Sequence, residues 1–321
     1  FSWLAALCLL TTAATALARP YELDDMLALE SYGKAVLDPQ GRWAVIDRFR
    51  RYDSAAAYDF DAFTKRMLGR VMLIDTKEGK PLEPLFEQSD DAGYWSGSAS
   101  PDGKHLTVFR LQPDKLSLGV VNMRTRSVRW LGINPVTALL NPVPIWRDNS
   151  HLIVITSPDP DIAYPLDSGN RLQRELPALW LQSARGKEPG VSVLDSTKVG
   201  SSGRRGHHTV QEINIDTGAR RTIGQGAIVD VALSADRSWV AVTEELDDAA
   251  PQGDVLISAS ARPWQHGIRV INLVDGRTTQ ICSDCDTMPN LLDWSPSNAR
   301  LLFFSRQRGQ TWSKGSLQIF D

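Results

Sequence analysis

Cysteine is scarce in this sequence: three residues in 321, one of them at position 8. A structural zinc site would need a second ligand pair beside Cys282 and Cys285, and none is close in sequence. A basic excess is also missing. The 35 Lys and Arg are set against 38 Asp and Glu, for a net charge of −3. A nucleic-acid partner would call for a one-signed face, so that class is excluded. The short runs at Arg48–Arg51 and Arg204-Arg205 read as solvated loop charges. After residue 18 there is no apolar run long enough to span a membrane.

What is present is turn chemistry. The chain has 23 Gly, 18 Pro and ten Trp, which suits many turns and aromatic-lined strands better than a helical bundle. "SASPDGKHLTVF" at 98–109 has close relatives in "LDPQGRWAVI" at 37–46, "LSADRSWVAV" at 233–242 and "WSPSNARLLFF" at 294–304. "PIWRDNSHLIVIT" at 144–156 is a weaker copy. Each places a tight polar turn between two apolar runs, the second alternating with period two. A third and fourth run follow around a second polar turn, as in "HTVQEINIDTGARRTIG" at 208–224 and "HGIRVINLVDGRTTQIC" at 266–282. One unit is therefore four strands, a to d. Tandem four-stranded units predict an all-β fold, a β-propeller, because one unit cannot bury both faces of its own sheet. About five blades are expected here, the fifth cut off in strand c, against seven or eight in a full propeller.

The spacing is uneven. The shortest repeat approaches the about 40–45 residues of a plain blade. The extra length falls between strands b and c, at 50–68, 157–207 and 246–265. All such loops emerge on one face of an antiparallel blade, and that face is the expected binding face. A helical insertion is expected at 168–186, capped by Ser168 and stopped by Gly186.

The first eighteen residues, "FSWLAALCLLTTAATALA", carry no charge and end small-x-small at Ala16-Leu17-Ala18. They read as a signal peptide truncated at its start, cleaved after Ala18, with residues 19–321 forming the incomplete propeller. The run is too short and too rich in Ala and Thr for a stable membrane anchor, and Cys8 lacks the small preceding residue of a lipoprotein signal. Export to the periplasm or the extracellular space is expected. In that oxidising setting the first reading of "CSDC" is a Cys282–Cys285 disulfide. Free thiols and a redox or metal role are the alternatives.

Two segments carry a family resemblance. The start "YELDDMLALESYGKAVLDPQGRWAV" pairs a short acidic helix with the first turn motif, and resembles the opening of the propeller in prolyl oligopeptidase-family serine peptidases. "RRYDSAAAYDFDAFTKRMLGRVMLID" and "LWLQSARGKEPGVSVLDS" resemble the bacterial lasso-peptide isopeptidases within that family. The resemblance implies a C-terminal α/β-hydrolase domain holding a Ser-Asp-His triad, no cofactor, and a peptide substrate, in that branch a lasso peptide. No G-x-S-x-G elbow stands anywhere in this chain, so no catalytic residue is assigned to it. Substrate-facing candidates are Arg204, Arg205 and His207, at the end of the largest insertion. His105 and His151 are expected as exposed turn residues, and Trp43, Trp146, Trp239 and Trp294 as packing between blades. The Asp clusters at 157–161 and 245–248 lack the spacing of a calcium loop, so no metal site is expected. A dipeptidyl or acylaminoacyl-type oligopeptidase and a non-catalytic periplasmic binding propeller are the competing readings.

Overall fold

A computed structural model describes residues 19–321 apart from 57, 59, 61–63, 77–80, 137–143, 159–161, 163, 188–206 and 249–263. A short helix, α1 (Leu23–Leu27), comes first. Its capping box has Asp25 accepting the Glu22 N–H while Arg19 pairs with Asp25. The strands then form five antiparallel sheets in chain order. Sheet 1 holds β1 (Ser31–Leu37), β2 (Trp43–Phe49), β3 (Gly69–Asp75) and β4 (Glu83–Pro84). Sheet 2 holds β5 (Gly93–Ala99), β6 (His105–Gln112), β7 (Lys115–Asn122) and β8 (Ser127–Trp130). Sheet 3 holds β9 (Ile145–Trp146), β10 (His151–Thr156), β11 (His208–Asn214) and β12 (Arg220–Gly226). Sheet 4 holds β13 (Ile228–Leu233), β14 (Trp239–Asp248), β15 (Trp264–Asn272) and β16 (Thr278–Gln280). Sheet 5 has three strands, β17 (Cys285–Trp294), β18 (Leu301–Gln307) and β19 (Ser316–Phe320). Each sheet is a simple meander, as the repeat predicts for propeller blades.

The turns explain the regularity. In three of the five a–b turns the fourth residue takes positive φ: Gly41 at 68°, Gly103 at 65° and, without a glycine, Arg237 at 61°. In the c–d turns Asn122, Asn214 and Asn272 each accept two following backbone N–H groups on Oδ1, and the chain turns through Arg126, Gly218 and Gly276 at positive φ. Both patterns are local, so short polar stretches set the register of these hairpins.

Between consecutive sheets lie four apolar cores. Trp43, Val45, Val71 and Leu73 of sheet 1 meet Tyr94, Leu106 and Val108 of sheet 2. Phe109, Leu111 and Leu118 meet Leu152, Val154 and Ile213 of sheet 3. Ile153, Ile155 and Val210 meet Val231, Val240 and Val242 of sheet 4. Ala241, Ile268 and Val270 meet Trp294, Leu301 and Phe303 of sheet 5. The period-two alternation thus serves two cores at once, one on each side of a strand. Tryptophans seal the joints. Trp43 Nε1 donates to the Gly103 carbonyl at 3.2 Å, Trp146 Nε1 to Ser98 at 2.9 Å, and Trp294 Nε1 to Ala232 at 3.0 Å, each across a sheet boundary. Trp239 packs at the sheet 4–5 core.

Two expectations need correction. The helical insertion, α3 (Tyr164–Ala184), begins four residues before Ser168, which is not its cap. Pro165 suits that first turn, where a missing N–H costs nothing. Gly186 at φ 65° ends the helix, with the Lys187 N–H returning to Gln182. The third insertion is shorter than 246–265, because β14 and β15 extend to Asp248 and Trp264.

One inter-sheet position carries a charge. Asp47 on β2 is 2% exposed and accepts the Ser96 N–H of sheet 2 at 2.8 Å. Burial pushes its carboxyl up to about 6, against the Ser96 hydrogen bond and the pull of Lys34 and Arg66. The folded state therefore favours the protonated acid. Stability is lost as pH rises from about 4 through 6. Asp47→Asn keeps the acceptor and removes the ionisation. We expect it to be more stable than the parent by about 2 kcal/mol at pH 7.5 and equal to it below pH 4, in urea melts at both pH values. Equal midpoints at pH 7.5 would contradict this.

Candidate functional site

The b–c ends of the sheets differ sharply from the a–b ends. Sheet 2 closes its b–c end with a two-residue hairpin at 113–114, between β6 and β7. Sheets 1 and 3 instead send out long insertions, 50–68 and 157–207. These insertions lean over the short hairpin. Phe60 of the first, and Ile162 and Leu166 of the second, are buried in one cluster with Trp95, Leu111 and Leu116 of sheet 2. The apolar core between sheets 2 and 3 therefore continues past the strand ends into a canopy.

Several contacts fix the first insertion. The Arg50 N–H donates to the Leu68 carbonyl, closing its base. A short helix, α2 (Thr64–Met67), lies so close to β5 that a Cβ on Gly93 would sit 1.9 Å from the Arg66 carbonyl oxygen. Only glycine allows that approach. Arg66 covers the Trp95 ring at 5.1 Å and Lys65 covers Phe49 at 4.6 Å. The Tyr52 and Tyr58 rings stand 5.2 Å apart on the outer part of the loop. Beyond the canopy, the second half of α3 is open to solvent, with Leu179, Trp180 and Leu181 all exposed.

The same end of the molecule is dense in ion pairs. Arg48 holds Glu30 through both Nη2 contacts, at 2.7 and 2.6 Å. Arg50 and Arg70 share one oxygen of Asp90, each at 3.0 Å, which keeps that carboxyl below its usual range. Arg306 pairs with the buried Asp286 at 2.7 and 2.9 Å and stacks on Trp312 at 4.0 Å. Asp286 also accepts the His266 N–H at 3.0 Å. Burial holds the His266 imidazole below its ordinary value.

The histidines do not converge. His207 is exposed at the entry to β11, while the His208 Nδ1 lies 2.8 Å from the Ile228 carbonyl. Arg204, Arg205, the 1–18 segment and its Ala18 site lie outside the described residues. His105 and His151 are half-buried rather than exposed. His105 stacks on Trp146 of the next sheet, and burial lowers its pKa. His151 bridges Asp148 through Nδ1, at 2.9 Å, and Asn214 through Nε2, at 3.1 Å. They sit inward because the first residue of each strand b packs at a sheet boundary, a place Trp43 and Trp239 fill elsewhere. Among the described residues no group of three or more His, Cys, Asp or Glu stands together as a metal site. No described helix is long and apolar enough to cross a membrane. Cys282 and Cys285 are bonded, in the connection from β16 into β17, with Cα atoms 5.6 Å apart.

The fold and site define a class: a run of propeller blades with one plain end and one elaborated end. No family model and no curated protein matches the chain. Similar solved structures include Pyrococcus horikoshii acylaminoacyl peptidase, at 11% identity and a TM-score of 0.49, covering 94% of this chain and 40% of that one. The β-propeller domain of the Trilobed protease from Pyrococcus furiosus gives 11%, 0.45, 91% and 68%. TolB from Acinetobacter baumannii gives 13%, 0.41, 91% and 52%. This chain thus spans about two fifths of the acylaminoacyl peptidase and half of that TolB. Propeller-bearing peptidases and TolB stand side by side among these similarities, which assign no chemistry to any residue here.

The canopy yields a prediction. Phe60→Ala and Leu166→Ala should each cost about 3 kcal/mol or the release of their insertion, since both remove a buried side chain. The double variant should cost less than the sum, because the two share one cluster. Chemical melts with limited proteolysis measure both effects. Strict additivity with unchanged cleavage at 50–68 would contradict a shared canopy.

Proposed function

We propose that this chain is the propeller portion of an exported serine hydrolase that cleaves a peptide or isopeptide bond, with a lasso peptide as substrate. The observation that carries the reading is the canopy. Both long insertions described here lie on the b–c side, and each buries side chains in the core that holds Leu111 and Leu116, which flank the short hairpin of sheet 2. Such a cover admits a compact or threaded peptide and turns away folded proteins by size, without reading their side chains.

The triad belongs to a hydrolase domain outside this sequence. There the serine attacks the side-chain amide that closes the ring, the amine leaves with a proton, and water releases the acyl group. This chain's own residues gate and position. The apolar, uncharged run ending at Ala18 supports export, and the bonded Cys282–Cys285 pair suits an oxidising compartment. An acylaminoacyl-type oligopeptidase would use the same acyl chemistry and differ in what the canopy admits. A binding propeller would keep the canopy and lack the triad.

The test uses the full-length gene product, recovered from the periplasm with Arg19 as its first residue. We expect labelling by a serine-directed phosphonate and conversion of a threaded lasso peptide to its linear form, with a gain of one water by mass spectrometry. Preferential cleavage of linear peptides would favour the oligopeptidase. Absence of both labelling and hydrolysis would leave a binding propeller.

A further inference from the structure

Arg50 and Arg70 stand together at the base of the first insertion. Arg50 follows β2 directly, and its N–H closes the insertion on the Leu68 carbonyl. Arg70 is the second residue of β3. Its side chain is 11% exposed and firmly held. The Arg70 Nη1 donates to the Gly69 and Ala92 carbonyls at 2.7 and 3.0 Å, and the guanidinium lies 5.9 Å from the Tyr94 ring. That leaves Nη2 for Asp90. The Arg50 Nε is buried and has no hydrogen-bond partner among the described residues.

Asp90 is a poor match for two guanidinium groups. Both donate to one oxygen, Oδ1, and no described group donates to Oδ2. The trio therefore keeps one uncompensated positive charge. The Asp90 side chain is 88% exposed and sits in the connection between β4 and β5, outside any strand. Such an exposed pairing adds little stability, so another carboxylate replaces it at small cost. Close in the chain, Lys65 and Arg66 of α2 stack on Phe49 and Trp95, with no ion-pair partner among the described residues.

We propose that Arg50 and Arg70 form a receptor for the α-carboxylate of a bound peptide, with Asp90 as the internal carboxylate that the peptide displaces. Arg70 supplies a fixed donor. Arg50, 31% exposed on its side chain, supplies an adjustable one. Together they can take both oxygens of an arriving carboxylate, where Asp90 offers one. The choice of a terminal carboxylate over other anions rests on the reading that a peptide binds at the canopy. Every unmodified peptide ends in that group, so the contact holds a peptide without reading its side chains. The site serves a hydrolase and a binding propeller equally.

The test uses the full-length gene product and two probes, a threaded lasso peptide and a linear N-acetylated peptide. Each is supplied as the free acid and as the C-terminal amide. Affinity is read by titration as Kd, or as KM where the peptide is hydrolysed. In at least one pair the free acid should bind about tenfold more tightly than the amide. Arg50→Gln should remove that preference and leave the affinity of the amide unchanged. Asp90→Asn should enlarge the preference about threefold, because the internal competitor loses its charge; an ion pair with a purely structural role gives no such gain. Equal affinity for acid and amide in both pairs would overturn the proposal. So would a preference that survives Arg50→Gln, or one that Asp90→Asn leaves unchanged or reduces. An acid preference without hydrolysis of either peptide keeps this site and sinks only the hydrolase reading. Hydrolysis without an acid preference does the reverse.

Discussion

Everything in this molecule depends on one constraint. A four-stranded sheet with apolar residues on both faces cannot satisfy them alone, so each sheet needs a neighbour on either side. The alternation along β6 shows the arrangement at its plainest: Leu106 and Val108 belong to one core, Phe109 and Leu111 to the next. Stability is therefore passed along the chain from sheet to sheet, as in other repeat architectures. The a–b turns add a polar chain to the apolar one. Arg42 reaches the Asp102 carbonyl at 2.9 Å, the Asp102 N–H reaches Asn149 at 3.0 Å, and Arg237 reaches the carbonyls of Trp146 and Arg147 at 3.1 and 3.0 Å.

The two ends of the sheets are built for different tasks. At the a–b end, the turns are short, and their polar atoms both close each turn and tie it to the next sheet. Gly103 illustrates how tight that end is: a Cβ there would lie 1.8 Å from the Asp38 carboxylate. At the b–c end, long segments are spent on a canopy whose side chains join the main core. Two buried carboxylates, Asp47 and Asp286, lie toward this end. Asp286 has its guanidinium partner at hand, and Asp47 does not. A protein that only needed a rigid scaffold would gain from replacing Asp47 by an apolar residue, which is what sheets 2 and 3 carry at that register with Phe109 and Ile155.

Much of the fold was legible in the sequence because it is written in local chemistry. The polar turns mark each a–b hairpin, Asn at 122, 214 and 272 marks the c–d turns, and the period-two runs between them mark the strands. The insertions were legible as departures from the repeat, though the strand ends at Asp248 and Trp264 were not. Polar residues there keep to the ladder because their partners hold them, and no local pattern announces that. The canopy was not legible at all. Phe60 sits in a segment of Ala, Asp and Tyr, and nothing nearby tells that it joins the same core as Leu166, more than a hundred residues away. The half-burial of His105 was missed for a related reason: a histidine after a polar turn looks exposed until Trp146 of the next sheet is placed against it.

The central claim is that protection from solvent is graded by how many neighbours a sheet has. Amide hydrogen exchange on the 321-residue chain, read strand by strand by mass spectrometry, tests it most directly. The account predicts that β6 and β10, each between two sheets, exchange slowest, and that β2 and β18, each with a sheet on one side only, exchange faster. Equal protection of β18 and β6 would contradict it, because β18 would then be stable without a neighbour on its outer face.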